Sequence, residues 1–236
     1  MKRINWMIAT AATVVALVAP SAEATIFTDS YEADALPTAS TPAWTEFFNQ
    51  GTESVAGGIL TLSTAAGDDN LYRLGGGTGL DWDPTGAGST LEIRLKVDSQ
   101  LGATGAGDFG ILTGAKVWKF SFATNQINEV VAGGTVSMDT SAAFHVYRFT
   151  VAGTGGPLNL YVDGGGSPVA TFAGGATGSN RLDWGDDLGA DAGQVQWDYI
   201  RWTNLGAFAP VPEPSVVWLA AVGLMTLIRA RRAGRN

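Results

Sequence analysis

The chain has 236 residues, of which 32 are glycine, one is histidine and none is cysteine. Its formal net charge is −8, and the segment from Thr25 to Pro210 has 8 basic and 20 acidic residues, a net charge of −12. The lack of cysteine excludes disulfides and thiol catalysis. The acidic excess disfavours binding to nucleic acid phosphates.

The N terminus has the pattern of a secretory signal. Lys2 and Arg3 precede an apolar stretch from Trp6 to Ala19, and Ala22-Glu23-Ala24 has the small-x-small form that signal peptidase cleaves. We therefore expect residues 1–24 to be removed by signal peptidase during export.

Residues 25–208 are expected to form one domain, which is an ordinary size for a single hydrophobic core. Short segments alternate apolar with polar residues, the period of half-buried strands. Clear examples of the apolar series are Leu91, Ile93, Leu95, Val97, and then Trp118, Phe120, Phe122. The many glycines fit tight turns between strands. The pattern predicts an all-β fold of about 12 to 14 strands in two packed antiparallel sheets, a sandwich or jelly roll.

The strand-like segments follow one another in a recognisable order. "TDSYEADALP", "WTEFFN" and "VAGGILTLST" come first, and "FHVYRFTV", "LNLYVDGG" and "VQWDYIRWTN" close the domain. This order resembles the concanavalin A-like lectin and glucanase superfamily, including LamG-like domains. The resemblance implies that the first and last strands lie close together in one sheet.

The motifs that enzymes of this kind need are missing from the chain. Laminarinase- and lichenase-type hydrolases carry an E-x-D-x-E strand whose carboxylates lie about 5 Å apart, and the chain has only Glu32-Ala33-Asp34. Alginate lyases use a Gln-x-His strand, but Gln126-Ile127-Asn128 lacks the histidine. His145 alternates with apolar residues and is expected to pack or bond within a sheet. We therefore expect a non-catalytic domain, with a divergent glycoside hydrolase or polysaccharide lyase as the alternative.

Acid-rich segments offer the oxygen ligands that Ca²⁺ prefers, although none has the EF-hand spacing and all can equally be solvated loops. They contain Asp68, Asp69, Asn70, Asp81, Asp83, Asp183, Asp186, Asp187 and Asp191. The glucanase resemblance implies a structural Ca²⁺ held by an aspartate on the last strand and by a backbone carbonyl at a glycine that opens an early strand. The matching positions in this chain are Asp198 and Gly58.

Two Leu-Asp-Trp strings suggest a carbohydrate site. Trp82 lies between Asp81 and Asp83, and Trp184 is followed closely by Asp186 and Asp187. An exposed indole can stack on a sugar ring while carboxylates accept hydrogen bonds from its hydroxyl groups. The alternative is that both indoles close the ends of the sandwich, as expected for core residues such as Trp118, Trp197 and Trp202.

The C-terminal segment 209–236 has three parts in a fixed order. Pro212-Glu213-Pro214 precedes an uncharged apolar run at 215–228, and the tail 229–236 contains Arg229, Arg231 and Arg232. As a helix the apolar run would be about 21 Å long, a short span for a bilayer core of about 30 Å, with the arginines on the cytoplasmic side.

This order resembles the PEP-CTERM sorting signal of Gram-negative bacteria. The resemblance implies transient anchoring in the inner membrane, recognition by an exosortase, cleavage near the motif, and transfer to the cell surface or extracellular matrix. We therefore expect a surface or matrix protein whose domain binds extracellular polysaccharide, or acts as an adhesive or structural module of a biofilm.

Overall fold

The computed structural model describes residues 26–75, 82, 84, 86–102, 105–187 and 192–211. Within these residues the chain forms sixteen strands and a short 3-10 turn at Pro37–Ala39, and Ile26–Val211 is one compact unit. No helix in this part of the chain is long and apolar enough to cross a membrane. The predicted signal peptide and the predicted apolar helix 215–228 lie outside the described residues.

Two antiparallel sheets form a sandwich, which confirms the predicted all-β fold. The strands of sheet A are β1 (Asp29–Glu32), β3 (Thr52–Ala56), β4 (Ile59–Thr64), β6 (Ser89–Leu101), β11 (His145–Val151), β12 (Leu158–Val162), β13 (Ala170–Phe172) and β16 (Ala192–Thr203). Those of sheet B are β2 (Thr45–Asn49), β5 (Asn70–Gly75), β7 (Gly107–Thr113), β8 (Lys116–Ala123), β9 (Gln126–Glu129), β10 (Thr135–Ser137), β14 (Gly175–Ala176) and β15 (Asn180–Asp186).

The strand order differs between the sheets. Sheet A has the order β13-β12-β11-β6-β16-β4-β3, and β1 also pairs with β16. Sheet B has the order β10-β9-β8-β7-β15-β5-β2, and β14 also pairs with β8.

The first and last strands are neighbours, as the superfamily resemblance implies. β1 runs antiparallel to β16, with Tyr31 opposite Ile200 and Asp29 opposite Trp202. The start of β1 therefore lies beside the end of β16, and both termini of the described unit are close together.

The core lies between the inner faces of the two sheets. The alternating series of β6 and β8 point inward and are fully buried, because successive side chains of a strand point to opposite faces. Aromatic rings fill one part of this core around Trp184, whose ring centroid lies 5.0 Å from that of Trp197 and 5.1 Å from that of Tyr72. Because these rings belong to the inner face of sheet B, its outer face points away from the core.

Candidate functional site

The centre of the outer face of sheet B carries a row of charged residues. Strand register aligns Arg73 of β5 with Asp183 of β15, Asp183 with Gly110 of β7, and Gly110 with Lys119 of β8. These residues point outward because their strand neighbours, such as Trp184, belong to the core. Gly110 leaves the middle of the row without a side chain.

Asp183 is held between two arginines. The Nε atom of Arg73 lies 2.7 Å from Asp183 Oδ1, and the Nε atom of Arg181 lies 2.8 Å from Asp183 Oδ2. The carboxylate is buried and both of its oxygens accept charge-assisted hydrogen bonds, which fixes all three side chains. The triad has one positive charge in excess, and Arg181 is the more exposed of its two arginines.

Two exposed phenylalanines adjoin this triad. Phe47 and Phe48 of β2 have relative exposures of 49% and 36%, and their ring centroids are 4.7 Å apart. The Cζ atom of Arg73 lies 3.9 Å from the centre of the Phe47 ring, a cation–π contact that orients the ring. A β-bulge between Glu46 and Phe48 interrupts the pairing of β2 with β5, so Phe47 lies at an irregular point of an edge strand.

A buried carboxyl group lies one row away on the same face. Asp108 Oδ2 accepts a hydrogen bond of 2.9 Å from the backbone N–H of Asp187, and the Nζ atom of Lys119 is 3.9 Å away. Lys119 itself binds the Asp187 carboxylate at 2.8 Å. Among the described residues, Asp108 Oδ1 has no hydrogen-bond partner.

Burial raises the pKa of Asp108 from 3.8 to about 7. The nearby charge of Asp186 pushes the pKa in the same direction, while Lys119, the Asp187 N–H and Ser121 oppose the rise. Desolvation dominates because the carboxylate loses its hydration without gaining a full set of partners. This carboxyl group therefore titrates near neutral pH.

The predicted tryptophan platforms are wrong, since both indoles are buried. Trp82 is 2% exposed and Trp184 is 0% exposed. The indole N–H of Trp82 donates to the carbonyl of Leu112 at 2.7 Å. Trp184 follows Leu182 by two residues on β15, and both side chains therefore belong to the core. Asp183, the residue next to Trp184, points to the opposite face of the strand, so its charge does not expose the indole.

The acidic residues predicted with these tryptophans divide into three cases. Asp186 is buried between the sheets, where its carboxylate accepts a hydrogen bond from Thr64, so the prediction that it contacts a sugar is wrong. Asp187 is at the outer face of sheet B beside Lys119. Asp81 and Asp83 lie outside the described residues.

The two positions assigned to calcium by resemblance lie near each other in the fold. Gly58 is the second residue of the two-residue turn between β3 and β4, and both turn glycines have the positive φ that such turns require. Trp197 pairs with Leu60, so Asp198 and Gly58 belong to the same end of the β4–β16 pair. The Asp198 carboxylate is bound by the Arg94 guanidinium. Calcium at Asp198 stays a prediction, and the ion would have to displace this arginine.

Sequence reasoning named Asp183 but missed the two arginines that hold it on the outer face of sheet B. Arg181 precedes Asp183 by two residues on β15, whereas Arg73 is distant in the chain and meets Asp183 only through strand register. One local signal exists, because two consecutive phenylalanines in "WTEFFN" cannot both follow a period of two. At least one of them has to leave the inner face.

Comparisons with known proteins bear on the C-terminal segment and on the fold. Residues 210–232 match the model described as the PEP-CTERM protein-sorting motif, which includes Pro212-Glu213-Pro214 and the first three tail arginines. No curated protein matches the chain in sequence. The motif confirms the predicted sorting signal and implies that the protein is exported and processed by an exosortase while its C terminus is anchored in a membrane.

Two solved structures share the fold of the described unit. The carbohydrate esterase vb_24B_21 from the Shiga toxin-encoding bacteriophage phi24B is 19% identical, with a TM-score of 0.51, and the match covers 73% of this chain and 95% of that chain. A structure titled "Sialidase" is 10% identical, with a TM-score of 0.53, and the match covers 75% of this chain but 18% of that chain. The described unit is therefore a two-sheet antiparallel β-sandwich, and the same chain carries a sorting motif.

Proposed function

We propose that the exported domain is a non-catalytic carbohydrate-binding module whose binding surface is the outer face of sheet B. The observation that carries this proposal is the exposed ring of Phe47, fixed from one side by Arg73. The exposed part of this ring can stack on a sugar ring, and the neighbouring Arg73, Arg181 and Lys119 carry hydrogen-bond donors for hydroxyl groups.

The expected affinity of a single domain is weak. One stacking contact and a few solvated polar contacts correspond to dissociation constants in the micromolar to millimolar range. The binding free energy is then on the order of −4 to −8 kcal/mol. Many copies on one surface would raise the avidity by orders of magnitude. Weak single-site binding therefore suits a protein displayed at the cell surface or in an extracellular matrix, which is the destination we propose for it in a Gram-negative bacterium.

The likeness to a carbohydrate esterase and to a sialidase supports sugar recognition but leaves catalysis open. Asp108 supports an alternative proposal, a divergent glycoside hydrolase or polysaccharide lyase, because a carboxyl group with a pKa of about 7 can exchange protons near neutral pH. The side chain is buried and its neighbouring acid, Asp187, is tied to Lys119. Two assays on every polysaccharide that binds separate the alternatives. A reducing-sugar assay detects hydrolysis, and ultraviolet absorbance detects the unsaturated products of a lyase. A non-catalytic module should give no product in either assay.

Replacing Phe47 with alanine is expected to weaken binding about five- to tenfold, because the loss of one stacking contact is worth about 1–1.5 kcal/mol. The free energy of unfolding should change by less than about 1 kcal/mol, since the ring is exposed. A glycan array of the purified protein identifies the ligand, and retention on that immobilised polysaccharide measures the loss.

Phe208→Ala is the matched control for this experiment. Phe208 is also an exposed phenylalanine, at 39%, but its backbone N–H bonds to Thr90 of β6 in sheet A. The control should be retained like the parent protein. Equal retention of the parent and Phe47→Ala would remove the proposed surface.

Exosortase processing is expected to give a mature protein that is shorter than the full chain. If the exosortase cleaves near Pro212-Glu213-Pro214, the intact mass of the protein released from cells should lack the apolar run and the arginine tail. A deletion of residues 229–236 should retain the uncleaved form in the membrane fraction, because the basic tail fixes the orientation of the span. Released protein that still extends to Asn236 would contradict exosortase processing.

A further inference from the structure

Three polar side chains meet between the two sheets, away from the outer face of sheet B. Thr64 ends β4 of sheet A, Asn70 begins β5 and Asp186 ends β15. Asn70 and Asp186 are directly opposite each other in the β5–β15 pair, so both side chains point to the same face. The Thr64 hydroxyl donates to Asp186 Oδ2 from the other sheet. The group, named the inter-sheet triad, therefore bridges the sandwich.

Gly51 shows that the members of the triad are close together. A Cβ atom at Gly51 would lie 3.0 Å from Thr64 Cγ2, 3.5 Å from Asn70 Cβ and 2.7 Å from the Ser63 carbonyl oxygen. Thr64 and Asn70 therefore both pack closely against Gly51, where any side chain would clash with the Ser63 carbonyl oxygen.

The triad is buried and its hydrogen bonding is incomplete. Asn70 is 0% exposed, and within the described residues neither its Oδ1 nor its Nδ2 has a hydrogen-bond partner. An unsatisfied buried amide is destabilising, and native proteins usually satisfy such groups with an ordered water or an ion. The carboxylate of Asp186 beside it is buried too, and a buried carboxylate favours a cation.

We propose that the inter-sheet triad binds a divalent cation of the Ca²⁺ class. The Asp186 carboxylate, the Asn70 side-chain oxygen and the Thr64 hydroxyl are hard oxygen ligands, and backbone carbonyls and water complete the six to eight that Ca²⁺ takes. No described group of three or more acidic or histidine side chains is placed to hold a metal, so this site depends on amide and hydroxyl oxygens. Its position differs from that of Asp198, whose carboxylate pairs with Arg94.

The cation would join the two sheets and fix the end of β15. The next residue, Asp187, reaches the outer face of sheet B, where it binds Lys119 and donates its N–H to Asp108. Metal binding between the sheets thereby stabilises both the sandwich and the geometry of that face. The site is independent of whether the outer face binds sugar.

The test compares chelator-treated protein with protein in added CaCl₂. At 100 times the dissociation constant, Ca²⁺ should raise the melting temperature by about 5–10 °C, and equilibrium dialysis with ⁴⁵Ca²⁺ should find one site per chain. Asp186→Asn should lose both the shift and the bound calcium. Asp198→Asn, the matched control, should keep both.

Asn70→Asp tests the site even if Asp186→Asn fails to fold. In chelator this variant should melt below the parent protein, because two buried carboxylates repel each other. Added Ca²⁺ should reverse the loss and bind about tenfold or more tightly, since ligand charge sets Ca²⁺ affinity. Three results would overturn the proposal. The first is a parent protein that binds no calcium, which would mean that a buried water satisfies Asn70. The others are calcium binding that is lost in Asp198→Asn but kept in Asp186→Asn, and a calcium affinity that is unchanged in Asn70→Asp.

Discussion

Trp184→Ala is expected to destabilise the domain by about 3–5 kcal/mol, the cost of an aromatic cavity in a close-packed core. The indole is fully buried. Its ring centroid lies 5.0–5.7 Å from those of Trp197, Tyr72, Tyr31 and Trp44, so a truncation removes four aromatic contacts at once. The melting temperature should fall by about 10 °C or more. Thermal unfolding followed by circular dichroism measures this change.

Phe47→Ala serves as the matched comparison for Trp184→Ala. The phenylalanine is also aromatic but half-exposed, so its loss should leave the melting temperature almost unchanged. The two variants are therefore expected to separate stability from ligand binding. Melting of Trp184→Ala within about 2 °C of the parent protein would show that this indole is not a core residue.

Asp108→Asn is expected to change how stability depends on pH. The pKa of Asp108 in the folded protein is about 7 and its ordinary value is 3.8, so the folded state holds this proton more tightly than the unfolded chain. The free energy of unfolding therefore falls as pH rises from about 4 to about 7. The full cost above that window is on the order of 4 kcal/mol. Since asparagine does not ionise, the variant should be more stable than the parent protein at pH 8 and similar to it at pH 4.

Urea unfolding at pH 4, 6 and 8 in the presence of chelator measures this effect. Asp34→Asn is the matched control, because Asp34 is exposed and its replacement should leave the pH profile unchanged. If the free energy of unfolding falls equally in the parent protein and in Asp108→Asn between pH 4 and pH 8, then the Asp108 carboxyl is solvated.

The strands and the sorting signal of this protein could be predicted because both depend on contiguous residues. The alternation from Leu91 to Val97 identifies the buried face of β6 without any knowledge of its partners. The PEP-CTERM motif is likewise a linear signal, and its match at residues 210–232 confirms the prediction. The neighbouring first and last strands, implied by resemblance, are confirmed by the β1–β16 pairing.

The candidate site could not be predicted, because it depends on the register of strands that are distant in sequence. Arg73 and Asp183 are aligned by the β5–β15 pair, and a slip of one residue would turn either side chain to the opposite face. The inter-sheet triad requires, in addition, the contact between Thr64 and Asp186 across two sheets. Neither arrangement leaves a local pattern in the chain.

Of the two interpretations of Trp82 and Trp184, burial favours the core over the exposed platform. Aspartates in a Leu-Asp-Trp string do not by themselves indicate that the tryptophan lies at the surface. In a strand, Asp183 and Trp184 point to opposite faces, so a charged residue next to a tryptophan is compatible with a buried indole. Phe47 is exposed instead because β2 is an edge strand with a bulge.

The location of the sugar on the domain is the most direct test of the proposed function. Isotope-labelled protein is titrated with the glycan selected on the array, and backbone amide shifts are followed by NMR. We expect the largest changes at Phe47, Arg73, Arg181 and Asp183, with little change on the outer face of sheet A. Changes concentrated on sheet A, or on no contiguous surface, would contradict a binding site on the outer face of sheet B.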